Sequence, residues 1–411
     1  MRLGLDVLFL RHRRLVRGRR IGLIVHPASL DRNRHHAIAR FATASDLRLT
    51  AIFGPQHGLR GETQDNMIEW EGWRDPKLGI PVFSLYGATR APTAEMLAEV
   101  DVLILDLQDV GTRVYTYIWT MALCMMAAAR EDRDMIVLDR PNPIGGVHVE
   151  GPVLRKGFES FVGMFPIPLR HGMTIGELAR LFNEAFGIGC RLWVIPMEGW
   201  RRELWYDQTG LLWVPPSPNM PTLETATVYP GAVLVEGTML SEGRGTTRPF
   251  EIIGAPFIDP DRLVAELRAY RLPGVFFRPC YFQPTFHKHA GQLCGGVQIH
   301  VLNRDRFKPV LTGVALLKTI HRLYPDRFEW RPPPYEYVFD RLPFDILAGT
   351  DQLRAQILED RPLREIVDSW RADLERFREL RQAYLMYEAA PRRFTVLRGA
   401  GPRGRCSGSR R

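Results

Sequence analysis

The sequence predicts an α/β protein: a doubly wound, mostly parallel sheet in the larger domain, followed by a smaller α/β domain. Over the first 200 residues, short apolar runs alternate with helical segments. The runs are apolar almost throughout, which is typical of parallel strands covered on both faces. After about residue 258 the pattern changes. A chain of 411 residues has the length for about two domains, and we place them at 1–257 and 258–391, with a tail at 392–411.

Each element follows from a local pattern. Apolar and branched residues predict strands at 19–26, 49–53, 81–86, 100–107, 135–139 and 191–196, with helical segments at 31–43, 93–99 and 116–130. Thr174 and Glu177 match a capping box, which opens a helix to about residue 186. The proline-rich stretch 213–221 predicts a rigid, extended connector. In the second domain we predict helices at 259–270, 310–323 and 361–387, strands at 275–277 and 298–301, and a linker at 332–335.

The net charge of +9 is concentrated at the end of the chain. Residues 392–411 contain seven arginines and no acid, which leaves +2 for the first 391 residues. A Gly/Arg/Ser-rich tail of this kind is typical of disordered sequence. Elsewhere no basic, aromatic-rich groove for nucleic acid is visible, so we predict no nucleic-acid partner.

The composition and the N-terminal sequence bear on the cellular location of the protein. No apolar run approaches the roughly 18 residues of a spanning helix, so we predict no integral membrane segment. Asp6 interrupts the apolar N-terminus and no small-residue cleavage site follows, which predicts mature sequence and a cytoplasmic protein. The five cysteines are scattered without C-x-x-C spacing, in agreement with a reducing compartment. The oligomeric state is left open.

Polar loops follow the predicted strands at 49–53, 100–107 and 135–139. Ligands bind at the carboxyl ends of strands in open α/β sheets, so we expect these loops to share one site. The first loop, residues 54–61, supplies three candidate binding residues and is followed by a candidate acid: Gln56, His57, Arg60 and Glu69. The alternative is a turn with solvated charges.

The next two loops offer further candidates, each with a structural alternative. Asp106 and Asp109 lie at a strand end, where paired carboxylates suit acid–base chemistry or a metal. Asp109 with Arg113 equally fits an internal ion pair. Tyr115 either stacks on a sugar or belongs to the core. Asn142 either binds a ligand hydroxyl or fixes its turn.

His171, between Arg170 and Gly172, is a candidate binding residue, although a lone histidine is more often structural. His287 and His289 have no carboxylate or cysteine at suitable local spacing, so we predict no metal. The sequence lacks a phosphate-binding G-x-x-x-x-G-K-[ST] motif and an early G-x-G-x-x-G motif. We therefore predict no cofactor.

The segment 236–251 is the most polar long loop of the folded part. Apolar residues flank it on both sides, so it is held at both ends, and its charges are mixed in sign. Its alternative is a solvated surface loop. Five of its residues are candidates for a polar ligand site: Glu236, Glu242, Arg244, Thr246 and Arg248.

Acids, guanidinium groups and hydroxyls at one sheet edge suit a carbohydrate. Glycoside hydrolysis generally uses two carboxyl groups, one of them a proton donor with a raised pKa. The candidate catalytic carboxyls are Glu69, Asp109, Glu236 and Glu242.

With these loops in place, the sequence resembles the NamZ-type exo-β-N-acetylmuramidases, a bacterial family long described only as a domain of unknown function. The matching segments are 53–61, 81–87, 107–113, 138–146, 149–153, 168–174, 216–222, 236–250 and 295–300. The resemblance implies a Rossmann-like N-terminal domain, a smaller C-terminal domain and a site in the cleft between them. It adds Asn219, in the segment 216–222, to the binding residues. It also implies release of N-acetylmuramic acid (MurNAc) from the non-reducing ends of peptidoglycan fragments, which for a cytoplasmic protein fits wall recycling.

The chain departs from this family at one position that matters for the chemistry. Family members associated with the activity carry Glu where this chain has Gln56, and Gln cannot exchange a proton as a carboxyl does. Either another acid, such as Glu62 or Glu69, takes this role, or the protein has an altered specificity or binds sugar without turnover. We expect an arginine to hold the lactyl carboxylate of MurNAc, the candidates being Arg60, Arg244 and Arg248.

Overall fold

The computed structural model describes residues 1–65 and 67–388, so the predicted tail at 392–411 lies outside the described residues. The strands of the first domain are Arg20–Val25 (β1), Arg48–Gly54 (β2), Trp73–Arg74 (β3), Pro81–Ser84 (β4), Val102–Asp106 (β5), Asp134–Leu138 (β6), Glu150–Val153 (β7), Pro168–Arg170 (β8) and Arg191–Ile195 (β9). β7 and β8 form a separate antiparallel ribbon. The other seven form one sheet in the order β3-β4-β2-β1-β5-β6-β9.

This sheet confirms the predicted doubly wound fold. Its neighbouring strands pair in parallel, except for the short edge strand β3. Without β3, the six parallel strands follow the 3-2-1-4-5-6 order of a Rossmann fold.

The helices that accompany the strands are Gly4–Val7 (α1), Ala37–Ala42 (α2), Ala94–Leu97 (α3), Tyr117–Arg130 (α4), Ile175–Glu184 (α5), Leu223–Ala232 (α6), Pro260–Ala269 (α7), Pro309–Leu323 (α8), Pro343–Ala348 (α9), Gln352–Leu358 (α10), Leu363–Ser369 (α11) and Arg371–Gln382 (α12). Tighter or wider helical turns occupy Leu8–His12, Arg13–Leu15, Tyr206–Thr209 and Val233–Gly237. Among the described residues, every helix falls short of the length and apolarity needed to cross a membrane.

Both faces of the sheet are buried, which explains the uninterrupted apolar runs. In β5, Leu103 and Leu105 join the hydrophobic cluster that contains α4 and α5. Val102 and Ile104, pointing the other way, join the cluster that contains residues of α1 and α2. The N-terminal segment therefore packs on the sheet as part of the folded domain.

Local capping signals are borne out at α5. Thr174 accepts a hydrogen bond from the Glu177 backbone N–H, and the Glu177 carboxylate accepts one from the Thr174 N–H at 3.0 Å. This reciprocal pair starts the helix where the capping-box pattern predicts.

The second sheet is antiparallel, with the order β10-β12-β11 for strands Ile252–Ala255 (β10), Val275–Phe282 (β11) and Cys294–Val301 (β12). β10 precedes residue 257, so a strand from the predicted first domain pairs with this second sheet. The long helix predicted at 361–387 is wrong. The chain breaks into α11 and α12 at Trp370, whose backbone lies at φ −104° and ψ −1° and whose side chain is 4% exposed. The break accompanies burial of the indole in the core.

Candidate active site

A polar cavity lies where the carboxyl ends of β2 and β5 meet the second domain. The space between its walls, including the part open to solvent, is about 450 Å³. The walls come from the loop after β2, the segment before α4, the proline-rich connector, the loop after α6, and residues 335–336 of the second domain. Six of the residues predicted from sequence line it: Gln56, His57, Tyr115, Asn219, Glu236 and Arg244.

The crevice between β1 and β5, where the strand order reverses, is filled by protein side chains. The His26 ring accepts a hydrogen bond from the Gln108 backbone N–H at 3.0 Å and contacts the Ser29 hydroxyl at 2.9 Å. Asp106 pairs with Arg140 at 2.6 Å, with both side chains buried. Asp106 thus belongs to a buried ion pair, and the open space lies beside the switch point, next to β2.

Gln56 is held in one orientation. Its amide oxygen accepts a hydrogen bond from the Thr116 hydroxyl at 2.7 Å, and its amide nitrogen donates to a carboxylate oxygen of Glu336 at 3.3 Å. The side chain is 4% exposed. The amide therefore acts as a fixed donor toward an acid that comes from the second domain.

Glu336 is the carboxyl that sequence reasoning missed. It is 4% exposed and lines the cavity, and its second oxygen accepts a hydrogen bond from the Tyr86 hydroxyl at 2.8 Å. Burial raises the pKa of this carboxyl, repulsion from Glu236 adds to the rise, and the donors Tyr86 and Gln56 partly offset it. A carboxyl in this setting keeps its proton to higher pH than an exposed one.

Glu236, Arg244 and Glu242 form a buried chain of charges. Arg244 lies 2.7 Å from a Glu236 oxygen and 3.2 Å from a Glu242 oxygen. The Tyr335 hydroxyl donates to the other Glu236 oxygen at 2.7 Å. Glu236 and Arg244 line the cavity, whereas Glu242 lies behind Arg244.

Glu242 is surrounded by cations. Lys288 contacts one of its oxygens at 2.7 Å, and the His287 ring lies 3.3 Å from the other. Burial alone would raise the pKa of Glu242, but Lys288, His287 and Arg244 outweigh it and lower the pKa. This carboxylate therefore serves to hold the loop 236–251 together.

His57 enters the cavity wall as a neutral ring. Its Nδ1 lies 2.7 Å from the Thr63 carbonyl, an acceptor, which places the proton on Nδ1. Burial lowers the pKa of the ring to about 4. The unprotonated Nε2 is thus available to accept a hydrogen bond, for example from a hydroxyl.

Aromatic rings form the apolar part of the wall. Tyr229 packs edge-on against Tyr115 at 5.9 Å and against Phe250 at 4.8 Å between ring centroids. The Tyr115 hydroxyl donates to Ser217 at 2.8 Å. Rings beside hydroxyls and carboxyls match the mixed surface of a sugar.

Nine predicted residues of the described chain lie outside the cavity lining, and five of them are buried with structural partners. Arg113 donates to the carbonyls of Pro152, Ile167 and Leu347 at 2.8–3.0 Å. Asn142 fixes its turn through the Met173 carbonyl and the Ile144 N–H. Asp109 accepts from the Gly111 N–H at 2.7 Å and lies 3.3 Å from the His171 ring. Glu242 and His171, the partner of Asp109, complete the five. The structural alternative describes the contacts of Asn142 and His171. The ion pair considered between Asp109 and Arg113 is wrong, because Arg113 bonds to carbonyls and Asp109 faces His171, and Glu242 is buried instead of lying in a solvated loop.

The other four are peripheral. Arg60 is exposed and lies over the Trp73 ring at 4.9 Å. Thr246 donates to the Gly243 carbonyl at 2.6 Å, and the exposed Arg248 pairs with the buried Glu251 at 3.4 Å. Glu69, about half exposed, contacts Arg90 at 3.1 Å and accepts from the Tyr337 hydroxyl at 2.8 Å.

The segment 332–335, predicted to be a linker, leads directly into the cavity. Tyr335 and Glu336 line it, and the next residue, Tyr337, reaches Glu69. The proline run favoured a linker because prolines do not fill helices or central strands. The available signal was the acid between two tyrosines that follows the prolines, which is an unusual composition for a spacer.

The described residues contain no group of three or more His, Cys, Asp or Glu side chains placed to hold a metal ion. The cavity itself offers two carboxyls, a neutral imidazole, a guanidinium and several hydroxyls.

Known proteins resemble the chain over most of its length. Family models described as the N-terminal and C-terminal parts of exo-β-N-acetylmuramidase NamZ match residues 21–224 and 227–387. The peptidoglycan β-N-acetylmuramidase NamZ of Bacillus subtilis strain 168 is 48% identical over 384 residues, 93% of this chain and 91% of that protein. Two crystal structures of DUF1343 family proteins from Bacteroides fragilis each cover 94% of this chain and 99% of their own. They are 36% and 30% identical to it, with TM-scores of 0.84 and 0.73.

Proposed function

The chain belongs to the NamZ family of exo-β-N-acetylmuramidases, from which we infer that it is a peptidoglycan glycoside hydrolase that releases MurNAc from non-reducing ends. The observation that carries this inference is the cavity itself. Two buried carboxyls, Glu236 and Glu336, share it with the aromatic wall around Tyr229. Glycosidases generally need two carboxyls in one site.

Arg244 supports MurNAc as the sugar that is recognised. Of the three arginines considered for the lactyl carboxylate, it lines the cavity, while Arg60 and Arg248 lie at the surface. A guanidinium presents donors in a planar fork that suits a carboxylate. We assign Arg244 to the side of the cavity that receives the lactyl group.

The activity is tested with a disaccharide that carries MurNAc at its non-reducing end. Incubation of MurNAc–GlcNAc with the protein should yield free MurNAc and free GlcNAc, measured by liquid chromatography with mass detection. GlcNAc–MurNAc, in which MurNAc is the reducing sugar, is the matched control and should stay intact. A wild-type protein that yields no MurNAc would contradict the proposed activity.

Gln56 favours a second candidate, a muropeptide-binding protein without turnover. The amide occupies the place where the family carries a carboxyl, and it is well fixed by Thr116. Calorimetric binding of MurNAc–GlcNAc without release of MurNAc would support this alternative.

We also propose a cytoplasmic role in wall recycling. Burial of Leu3, Leu5 and Val7 in the first domain supports a role for the N-terminal segment in the mature fold. Fractionation of cells that produce the protein, followed by immunoblotting, tests the location. Recovery outside the cytoplasm would contradict it.

A further inference from the structure

Given the proposed function, on which this inference rests, we propose that Glu336 is the catalytic acid that protonates the glycosidic oxygen, in place of the carboxyl missing at position 56. The residue belongs to the second domain, and 280 positions separate it from Gln56. Its carboxyl nevertheless lies against the Gln56 amide in the same cavity.

The partners of Glu336 suit a proton donor. Gln56 and Tyr86, which contact its two oxygens at 3.3 and 2.8 Å, are both neutral. Glu236 and Glu242, in contrast, each face Arg244, and Glu242 also faces Lys288. A carboxyl paired with a cation gives up its proton early, whereas a buried carboxyl among neutral groups retains it. The cavity thus holds one carboxyl paired with a guanidinium and one among neutral donors, two settings that suit the two roles in glycoside hydrolysis.

The two charged groups near Glu336 have opposite effects on its pKa. Glu236 favours its protonated form, and Arg90, whose guanidinium lies 4.0 Å from the centre of the Tyr86 ring, favours the ionised form. Burial is the largest influence and raises the pKa of the carboxyl. Burial among neutral donors therefore favours the protonated form of Glu336.

The backbone is bent to present this side chain. Glu336 and Tyr337 have φ values of 44° and 65°, in the left-handed region that residues other than glycine rarely adopt. Such conformations cost on the order of 1–3 kcal/mol each and are concentrated at functional sites. Contacts on either side maintain the bend, because the hydroxyls of Tyr335 and Tyr337 donate to Glu236 and Glu69 at 2.7 and 2.8 Å.

The reaction balances with the groups present. As the bond between C1 of MurNAc and the glycosidic oxygen breaks, its electron pair goes to that oxygen, which takes the proton of Glu336. The leaving sugar departs as an alcohol. A water molecule supplies the oxygen that bonds to C1 and loses one proton to the Glu236 carboxylate. Transfer of that proton to solvent, and of one from solvent to Glu336, restores both side chains, so the net change is the consumption of one water.

The decisive experiment compares two leaving groups. Glu336→Gln should lower kcat/KM for MurNAc–GlcNAc by about 10²–10⁴-fold, the usual contribution of a general acid. With 4-nitrophenyl β-MurNAc, whose nitrophenolate leaves without a proton, the loss should be less than about tenfold. Glu359→Gln, an exchange at an exposed carboxyl paired with Arg361, is the matched control and should leave both substrates unaffected.

The outcomes separate this assignment from the proposed function. A wild-type protein that cleaves neither substrate contradicts the activity and the assignment together. An active wild type whose Glu336→Gln variant keeps full activity on the disaccharide overturns the assignment alone. Equal losses on both substrates also overturn it, because they indicate a structural role.

A measurement on the wild type covers the case in which the variant does not fold. The pH profile of kcat/KM for the disaccharide should fall on the alkaline side as Glu336 loses its proton. The profile for the nitrophenyl substrate should lack this fall. Identical alkaline limbs for the two substrates would overturn the assignment.

Discussion

The amide nitrogen of Gln56 lies 3.3 Å from a carboxylate oxygen of Glu336. This contact joins the loop after the second parallel strand to a loop of the second domain. It also shows what a carboxyl at position 56 would meet, namely a second buried carboxyl at hydrogen-bonding distance.

Gln56→Glu should therefore create a carboxyl pair that shares one proton. Because two like charges this close resist joint ionisation, the upper pKa of the pair should exceed the pKa of Glu336 alone. We expect the alkaline limb of kcat/KM for MurNAc–GlcNAc to move upward by about one pH unit or more. Gln292→Glu, at an exposed position, adds the same charge far from the cavity and should leave the limb in place. An unshifted limb in Gln56→Glu would contradict the coupling.

Arg244→Met should destabilise the protein strongly. The guanidinium neutralises Glu236 and Glu242, which are 1% and 0% exposed. Removing one partner of a buried charge network costs about 3–5 kcal/mol, measured as the free energy of unfolding in urea. Arg361→Met removes an exposed pair with Glu359 and should cost less than about 1 kcal/mol. Similar losses in the two variants would show that the buried network contributes little.

Arg113→Met tests a structural role against substrate binding. The buried guanidinium donates to three carbonyls, one of them from Leu347 in the second domain. Leaving these acceptors unpaired should cost at least about 2–3 kcal/mol of unfolding free energy. KM for MurNAc–GlcNAc should stay within about twofold at temperatures where the variant is folded. A large rise in KM without loss of stability would instead support substrate binding by Arg113.

His26 should make stability fall in acid. Burial lowers the pKa of this ring from its usual 6.5 to about 3 in the folded protein. Between these values the unfolded chain binds a proton that the folded protein does not, so stability is full above pH 6.5 and is lost as the pH falls toward 3. From pH 7 to pH 5 the loss due to this group is about 2 kcal/mol. His26→Gln should remove that part of the slope of unfolding free energy against pH. An unchanged slope would contradict the assignment.

The strands of the sheet could be predicted from sequence because each one depends on a pattern within its own residues. Strands covered on both faces must be apolar at every position, as in β5, and that pattern is visible without knowledge of the neighbours. The division of α11 from α12 could not be predicted in this way. Charged helical sequence continues through residue 370, and the break depends on the pocket that receives the indole of Trp370.

The site residues also differ in whether local sequence is enough to place them. Gln56 and His57 could be placed because loops at the carboxyl ends of parallel strands share an edge. Arg113 and Arg244 both occur in polar loops, and only burial partners distinguish a guanidinium that binds carbonyls from one that faces the cavity. Glu336 was missed because its neighbours Gln56 and Tyr86 are 280 and 250 positions away.

The same long separation has a consequence for the timing of activity during synthesis. A ribosome exposes the strands of the first domain, with Gln56 and Tyr86, long before residue 336 is translated. If Glu336 supplies the proton, the growing chain is chemically inert until the second domain has emerged and docked. Hydrolysis of the glycosidic bond then begins only after most of the chain has been translated.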